Sequence, residues 1–137
     1  MCRFKSNAFL NGPGFILRYE STDELKWSFN AGTCGGNFTT PIGILTSPQY
    51  PNYYPKNADC VYTISQPEDN YVILTFLLFS THKFERPTCK DGFYHGQTSD
   101  YLEIRDGNHE KSPLLARVCG TELPSPILST QNKVWMR

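Results

Sequence analysis

"CGGNFTTPIGILTSPQYPNYYPKNADCVYTI", residues 34–64, is the stretch on which the reading of the fold turns. Cys34 opens it, and Cys60 starts a run, "CVYTI", rich in the β-branched and aromatic residues that suit a pleated, half-buried surface. Between them "SPQYPNYYPKN" (47–57) carries three prolines. Each proline lacks the N–H that a sheet ladder needs, so the segment must be an ordered loop or an edge. Tyr50, Tyr53 and Tyr54 interleave with Pro51 and Pro55, a pattern that more often packs a loop against a sheet edge than forms an adhesive patch. Asn37-Phe38-Thr39 has a non-proline middle residue and reads as an N-glycosylation acceptor in a secreted protein.

Outward from this stretch the punctuation is that of an all-β domain. Ten glycines and ten prolines cut the chain into short runs, and no 3.6-residue periodicity is sustained. Strands are predicted at "GFILRY" (14–19), "CVYTI" (60–64), "YVILTFLLF" (71–79), "DYLEIRDG" (100–107) and "NKVWMR" (132–137). "YVILTFLLF" is the longest apolar run, too short to span a bilayer, and reads as a buried strand. In "DYLEI", Leu102 and Ile104 point one way, Tyr101 and Glu103 the other. Short strands with frequent turns predict a β-sandwich. Residues 20–33 turn polar and charged and read as a linker, with room for a short helical turn.

At 137 residues, 39% apolar and 19% charged, the chain suits one folded domain with some extra. Thirteen basic and thirteen acidic side chains cancel. The field that draws proteins to phosphate backbones is therefore missing, and nucleic acid is not an expected partner. The start "MCRFKSNAF" shows no apolar signal region, so a secreted context would come from a longer parent. Cys34, Cys60, Cys89 and Cys119 are widely spaced, without a CxxC, and His82, His95 and His109 do not flank them at zinc-finger spacing. Disulfides fit better than a metal cluster, and three pairings of the four are open on spacing alone. Cys2 is left over and reads as a small buried hydrophobe. No G-x-S-x-G, H-E-x-x-H or cysteine–histidine signature is present, and the three histidines read as surface residues, so catalysis is not expected.

Taken together, the cysteine-glycine-glycine opening, the "G-x-x-x-SPxYPxxYPxNxxC" run, "VILTFLLF", "SDYLEIRDG", "CG" (119–120) and "LPSPILSTQNKVWMR" resemble a CUB domain over residues 34–137. The resemblance implies a jelly-roll β-sandwich and sequential disulfides, Cys34–Cys60 and Cys89–Cys119. It also implies an ending, a strand like "VWMRF" followed by a loop and a strand like "GFxxxY". In this chain that ending occurs only at "RFKSNAFLNGPGFILRY" (3–19). The expected organisation is thus the C-terminal strands of a preceding CUB domain (1–19), a linker (20–33), and a CUB domain lacking its last strands (34–137). Phe15, Leu17 and Tyr19 fall on one face, so residues 4–19 are expected to complete the sandwich, within one chain as a circular permutation or between chains as a swap. Arg3 and Arg137 would occupy equivalent places, leaving residues 1–3 redundant.

Many CUB domains hold calcium through clustered carboxylates that would repel one another without the ion. The resemblance places Asp100 in that role. For a second ligand, direct counting reaches His82, whereas a three-residue insertion brings Glu85 into place; the counterpart of the third is Asn7. The plainer reading of Asp100 is a hydrogen-bond acceptor at a strand start. The functional expectation is a non-catalytic extracellular module of a cubilin-like endocytic receptor that binds protein ligands on its sandwich-end loops, with calcium as its cofactor. Its partners would be protein ligands, neighbouring CUB domains, or another copy through the incomplete sheet edge. The alternative is a CUB domain of a secreted complement- or astacin-type protease, positioning partners or substrates.

Overall fold

The structure is a computed structural model and describes residues 3–6, 12–21, 27–81 and 100–136. Its elements are β1 (Arg3–Lys5), β2 (Gly14–Glu20), β3 (Trp27–Gly32), β4 (Gly36–Phe38), β5 (Ile42–Pro48), β6 (Asp59–Ser65), β7 (Ile73–Ser80), β8 (Tyr101–Asp106), β9 (Leu114–Val118), β10 (Ile127–Leu128) and β11 (Lys133–Met136). They form two sheets, as the all-β sandwich expectation requires. One runs β10-β7-β2-β5-β3; the other carries β4 on β6, then β1 and β11, then β8 and β9. Only β3 on β5 and β4 on β6 are parallel among these pairings.

The amino-terminal segment sits in the middle of both sheets. β2 pairs with β7 over its whole length on one side and with β5 from Ile16 to Glu20 on the other. Its strict alternation puts Phe15, Leu17 and Tyr19 inward, each at most 1% exposed. β1 and β11 lie end to end in one slot between β6 and β8. β11 pairs Val134, Trp135 and Met136 with Asp106, Arg105 and Ile104. β1 takes over with Arg3, Phe4 and Lys5 against Glu103, Leu102 and Tyr101. One further step along β11 would reach Glu103, which Arg3 already faces. Arg3 is therefore a paired strand residue rather than a redundant one; Arg137 and Cys2 lie outside the described residues.

The core between the sheets is largely a chain of rings. Tyr54 meets Phe4 edge-on at 4.6 Å, Phe4 meets Phe15 at 5.4 Å, and Phe15 meets Tyr62 at 6.1 Å. Tyr62 stacks on Phe38 at 6.3 Å, and Phe38 tilts against Tyr19 at 6.4 Å. Such offset and edge contacts add about 0.5–1.5 kcal/mol each beyond the area they bury. Gly43 makes room for this arrangement, because a Cβ there would stand 2.3 Å from the Tyr19 ring.

Two strand readings need revision. The segment 20–33, read as a linker, contains β3, an edge strand whose polar neighbours and exposed Phe29 (65%) hide any buried alternation. "YVILTFLLF" is not buried throughout. Val72, Leu74, Phe76 and Phe79 face the core, while Ile73, Leu77 and Leu78 are 40%, 53% and 38% exposed. Apolar residues on both faces concealed a strand with only one face covered.

Candidate functional site

The start of β8, the end of β1 and the proline-rich loop after β5 meet at one end of the sandwich, and the candidate site is built there. Asp100, immediately ahead of β8, is fully buried. Its Oδ2 accepts a hydrogen bond from the Tyr54 hydroxyl at 2.6 Å, and its backbone carbonyl accepts one from Thr81 Oγ1 at 3.2 Å. Thr81 Oγ1 also accepts from the Gly120 amide at 2.9 Å, while the Thr81 amide donates to the Gly120 carbonyl at 2.9 Å. One buried threonine thus ties the end of β7 and the turn after β9 to the Asp100 backbone.

The loop carrying Tyr54 is clamped from the amino-terminal side. Ser6 Oγ donates to the Pro55 carbonyl at 2.5 Å and accepts from the Ala58 amide at 2.9 Å. The Tyr54 amide donates to the Gly12 carbonyl at 3.2 Å. Pro51 and Pro55 restrict this loop, and these bonds satisfy backbone groups that no sheet ladder pairs. Of its tyrosines Tyr54 is buried and Tyr53 is 58% exposed, so the loop both packs inward and presents a ring to solvent.

Sequence reasoning singled out Asp100, and the structure shows it as a buried acceptor at a strand start. Glu85, His82 and Asn7, the other metal candidates, lie outside the described residues, as does Cys89. Among the described residues no group of three His, Cys, Asp or Glu side chains is placed to hold a metal ion. Cys34 and Cys60 are joined in a disulfide. Cys119 is also disulfide-bonded, its other half lying outside the described residues. Asn37 is exposed on β4. His109 is exposed too, its Nδ1 accepting from the Lys111 amide at 3.2 Å.

A second polar constellation escaped the sequence reading. Glu103 lies on the outer side of β8 yet is only 4% exposed. Arg105 and Arg117 both pair with it: Arg117 reaches Oε2 at 2.9 Å, and Arg105 donates from Nε to Oε1 at 2.5 Å. The Arg117 guanidinium lies 5.0 Å from the Tyr101 ring centroid, and that of Arg105 6.0 Å from Trp135. The i, i+2 spacing of Glu103 and Arg105 was visible in the sequence. The register that sets Arg117 opposite Glu103 was not.

Two stacked, mainly antiparallel sheets with a cystine stapling the strand β6 to the segment before β4 define a disulfide-linked β-sandwich module. The sequence pattern of the CUB domain matches residues 34–137, and the chain belongs to the CUB domain family. Its relatives include human cubilin, 35% identical over the whole chain, and rat cubilin, 35% identical over 98% of it. Human tolloid-like protein 2 is 34% identical over 98% of the chain. The chain spans 3% of the length of the cubilins and 11% of that of the tolloid-like protein. No helix among the described residues is long and apolar enough to cross a membrane.

Proposed function

We propose that the chain is a non-catalytic extracellular protein-binding module of a cubilin-like receptor, recognising protein ligands through the loops at its Asp100 end. The observation that carries this reading is the Tyr54–Asp100 hydrogen bond. It fixes a buried carboxylate beneath a loop that also presents Tyr53, so that a rigid platform supports an exposed contact residue. The similarity to the cubilins runs through residues ahead of Cys34 as well as through the matched domain. That continuity supports residues 1–19 as the closing strands of a CUB unit, 20–33 as the joining segment and 34–137 as the body of the next. Within this chain β1 and β2 pair with the strands of 34–137, as a circular permutation would. The similar identity to a tolloid-like protein, 34% against 35%, favours a second reading, the same binding module within a secreted protease of astacin type.

Calcium fits this end of the sandwich in chemical type. A hard cation takes oxygen ligands, and Asp100, Glu85 and Asn7 would supply carboxylate and amide oxygens. Tyr54 orients the Asp100 carboxylate. When bound, the ion would hold acidic groups in position to grip a ligand lysine or arginine. Calorimetric titration with calcium tests this: the wild type should bind and Asp100→Asn should not. A lysine-rich peptide probe should bind the wild type only with calcium present. Equal probe binding by wild type and Asp100→Asn, with and without calcium, would remove this end as the recognition site.

A further inference from the structure

β4 is the outermost strand of its sheet. It pairs with β6 along one side, and among the described residues no strand pairs with the other. Gly35 precedes it and Gly36 is its first residue, so its amino-terminal end carries no side chain over the backbone. The glycines are required here: a Cβ on Gly35, at φ +80°, would lie 2.4 Å from the Val61 carbonyl oxygen. The close approach belongs to the Cys34–Cys60 staple, which draws this segment onto β6. A bare, open edge is a template for pairing with another chain, and natural sheets usually guard such edges with charge, proline or bulk.

The sequon sits on this edge. Phe38 is 7% exposed and stacks on Tyr62, whereas Asn37 and Thr39 on either side of it are exposed. Strand alternation explains the split. By anchoring Phe38 in the core, the fold turns the flanking amide and hydroxyl residues outward. Asn37 begins the only Asn-x-Ser/Thr triplet in the chain.

We propose that Asn37 carries an N-linked oligosaccharide and that this glycan guards the β4 edge against pairing with a second copy of the chain. The donor is a polyprenyl-pyrophosphate-linked oligosaccharide. Asn37 Nδ2 forms a bond to C1 of its first sugar, the C1–O bond breaks, the lipid pyrophosphate leaves with the electron pair, and one amide proton is released. The glycan then rises from the solvent side of the outermost strand, where its bulk obstructs a chain aligned along β4. This inference rests on the extracellular reading above, because the donor is met only on the secretory route.

The test expresses the full chain through the secretory pathway of cultured animal cells, beside Asn37→Gln and Thr39→Ala. The wild type should run as a heavier species that peptide N-glycosidase lightens, with the sugar mapped to Asn37 by mass spectrometry. Both variants should run light and ignore the enzyme. A secreted wild type with its Cys34–Cys60 bond formed but Asn37 bare would overturn the glycan and leave the extracellular reading intact. Secreted protein lacking that disulfide would instead undo the extracellular reading. Sedimentation velocity over a tenfold concentration range tests the guarding role. Glycosylated protein should remain monomeric, while Thr39→Ala and enzymatically stripped wild type should form dimers at several-fold lower concentration. Stripped protein that stays monomeric over the same range would refute it, and the stripped wild type makes this arm independent of any folding defect in the variants.

Discussion

Deleting residues 1–20 should abolish cooperative folding of the remainder, although that remainder contains every residue of the matched CUB pattern. The deletion removes Phe4, Phe15, Leu17 and Tyr19 from the core, all at most 1% exposed. At about 1.5–3 kcal/mol for each fully buried side chain, the loss is about 6–12 kcal/mol. That is comparable with the whole stability of an ordinary domain, about 5–15 kcal/mol. The backbone loss compounds it, because β2 fills the centre of one sheet and its removal leaves β5 and β7 with unpaired edges facing each other. A graded version is Phe15→Ala, which removes one ring touching both Phe4 and Tyr62 and should cost about 3–5 kcal/mol. Near-ultraviolet circular dichroism during thermal melting is the assay, with the free 3–20 peptide added back to the truncated chain. The truncated chain should lack a cooperative transition, Phe15→Ala should melt roughly 10–20 °C lower, and the peptide should restore a transition. A truncated chain that melts cooperatively at the wild-type temperature would refute the reasoning.

Tyr54→Phe leaves a buried carboxylate oxygen of Asp100 without its hydroxyl donor and should cost about 1–3 kcal/mol in urea unfolding, with little change in the slope against denaturant. Cys34→Ala with Cys60→Ala opens a link of sequence separation 26 and should lower stability by about 3 kcal/mol; a loss under one-third of that would mean that the loop is already ordered in the unfolded chain. Glu103→Ala strands Arg105 and Arg117 beside each other on the outer side of β8 and should destabilise by about 2 kcal/mol, whereas the triple change to alanine should recover part of the loss in a denaturation cycle. Gly43→Ala pushes a methyl group into the Tyr19 ring and should cost about 1–3 kcal/mol by the same measurement.

The readable parts of the site and fold were those carried by local chemistry. Pro51 and Pro55 marked the loop after β5, although Ser47 and Pro48, read with that loop, close β5 itself. The alternation in "DYLEI" marked which side of β8 faces the core. The pattern in "GFILRY" similarly identified the buried side of β2. β3 was missed because an edge strand need not alternate. β5 and β9 were missed for the same lack of alternation, β5 being buried at nearly every position and β9 at none. β4 and β10 span three and two residues, too short for periodicity to register. Asp100 was picked out by resemblance, but its partner Tyr54 was read only as one of several loop-packing rings. Forty-six positions separate them, and only the folded chain brings hydroxyl and carboxylate together.

By itself the sequence determined an all-β, cystine-stapled sandwich of CUB type and a candidate for its recognition end, because turn residues, cysteines and strand alternation act over a few neighbouring positions. The tertiary structure decided that β1 follows β11 in one slot, that β2 lies between β5 and β7, and that Glu103 gathers two arginines. Those outcomes depend on register between strands distant in the chain. A register is chosen by the simultaneous packing of a whole face, and no single segment contains that information.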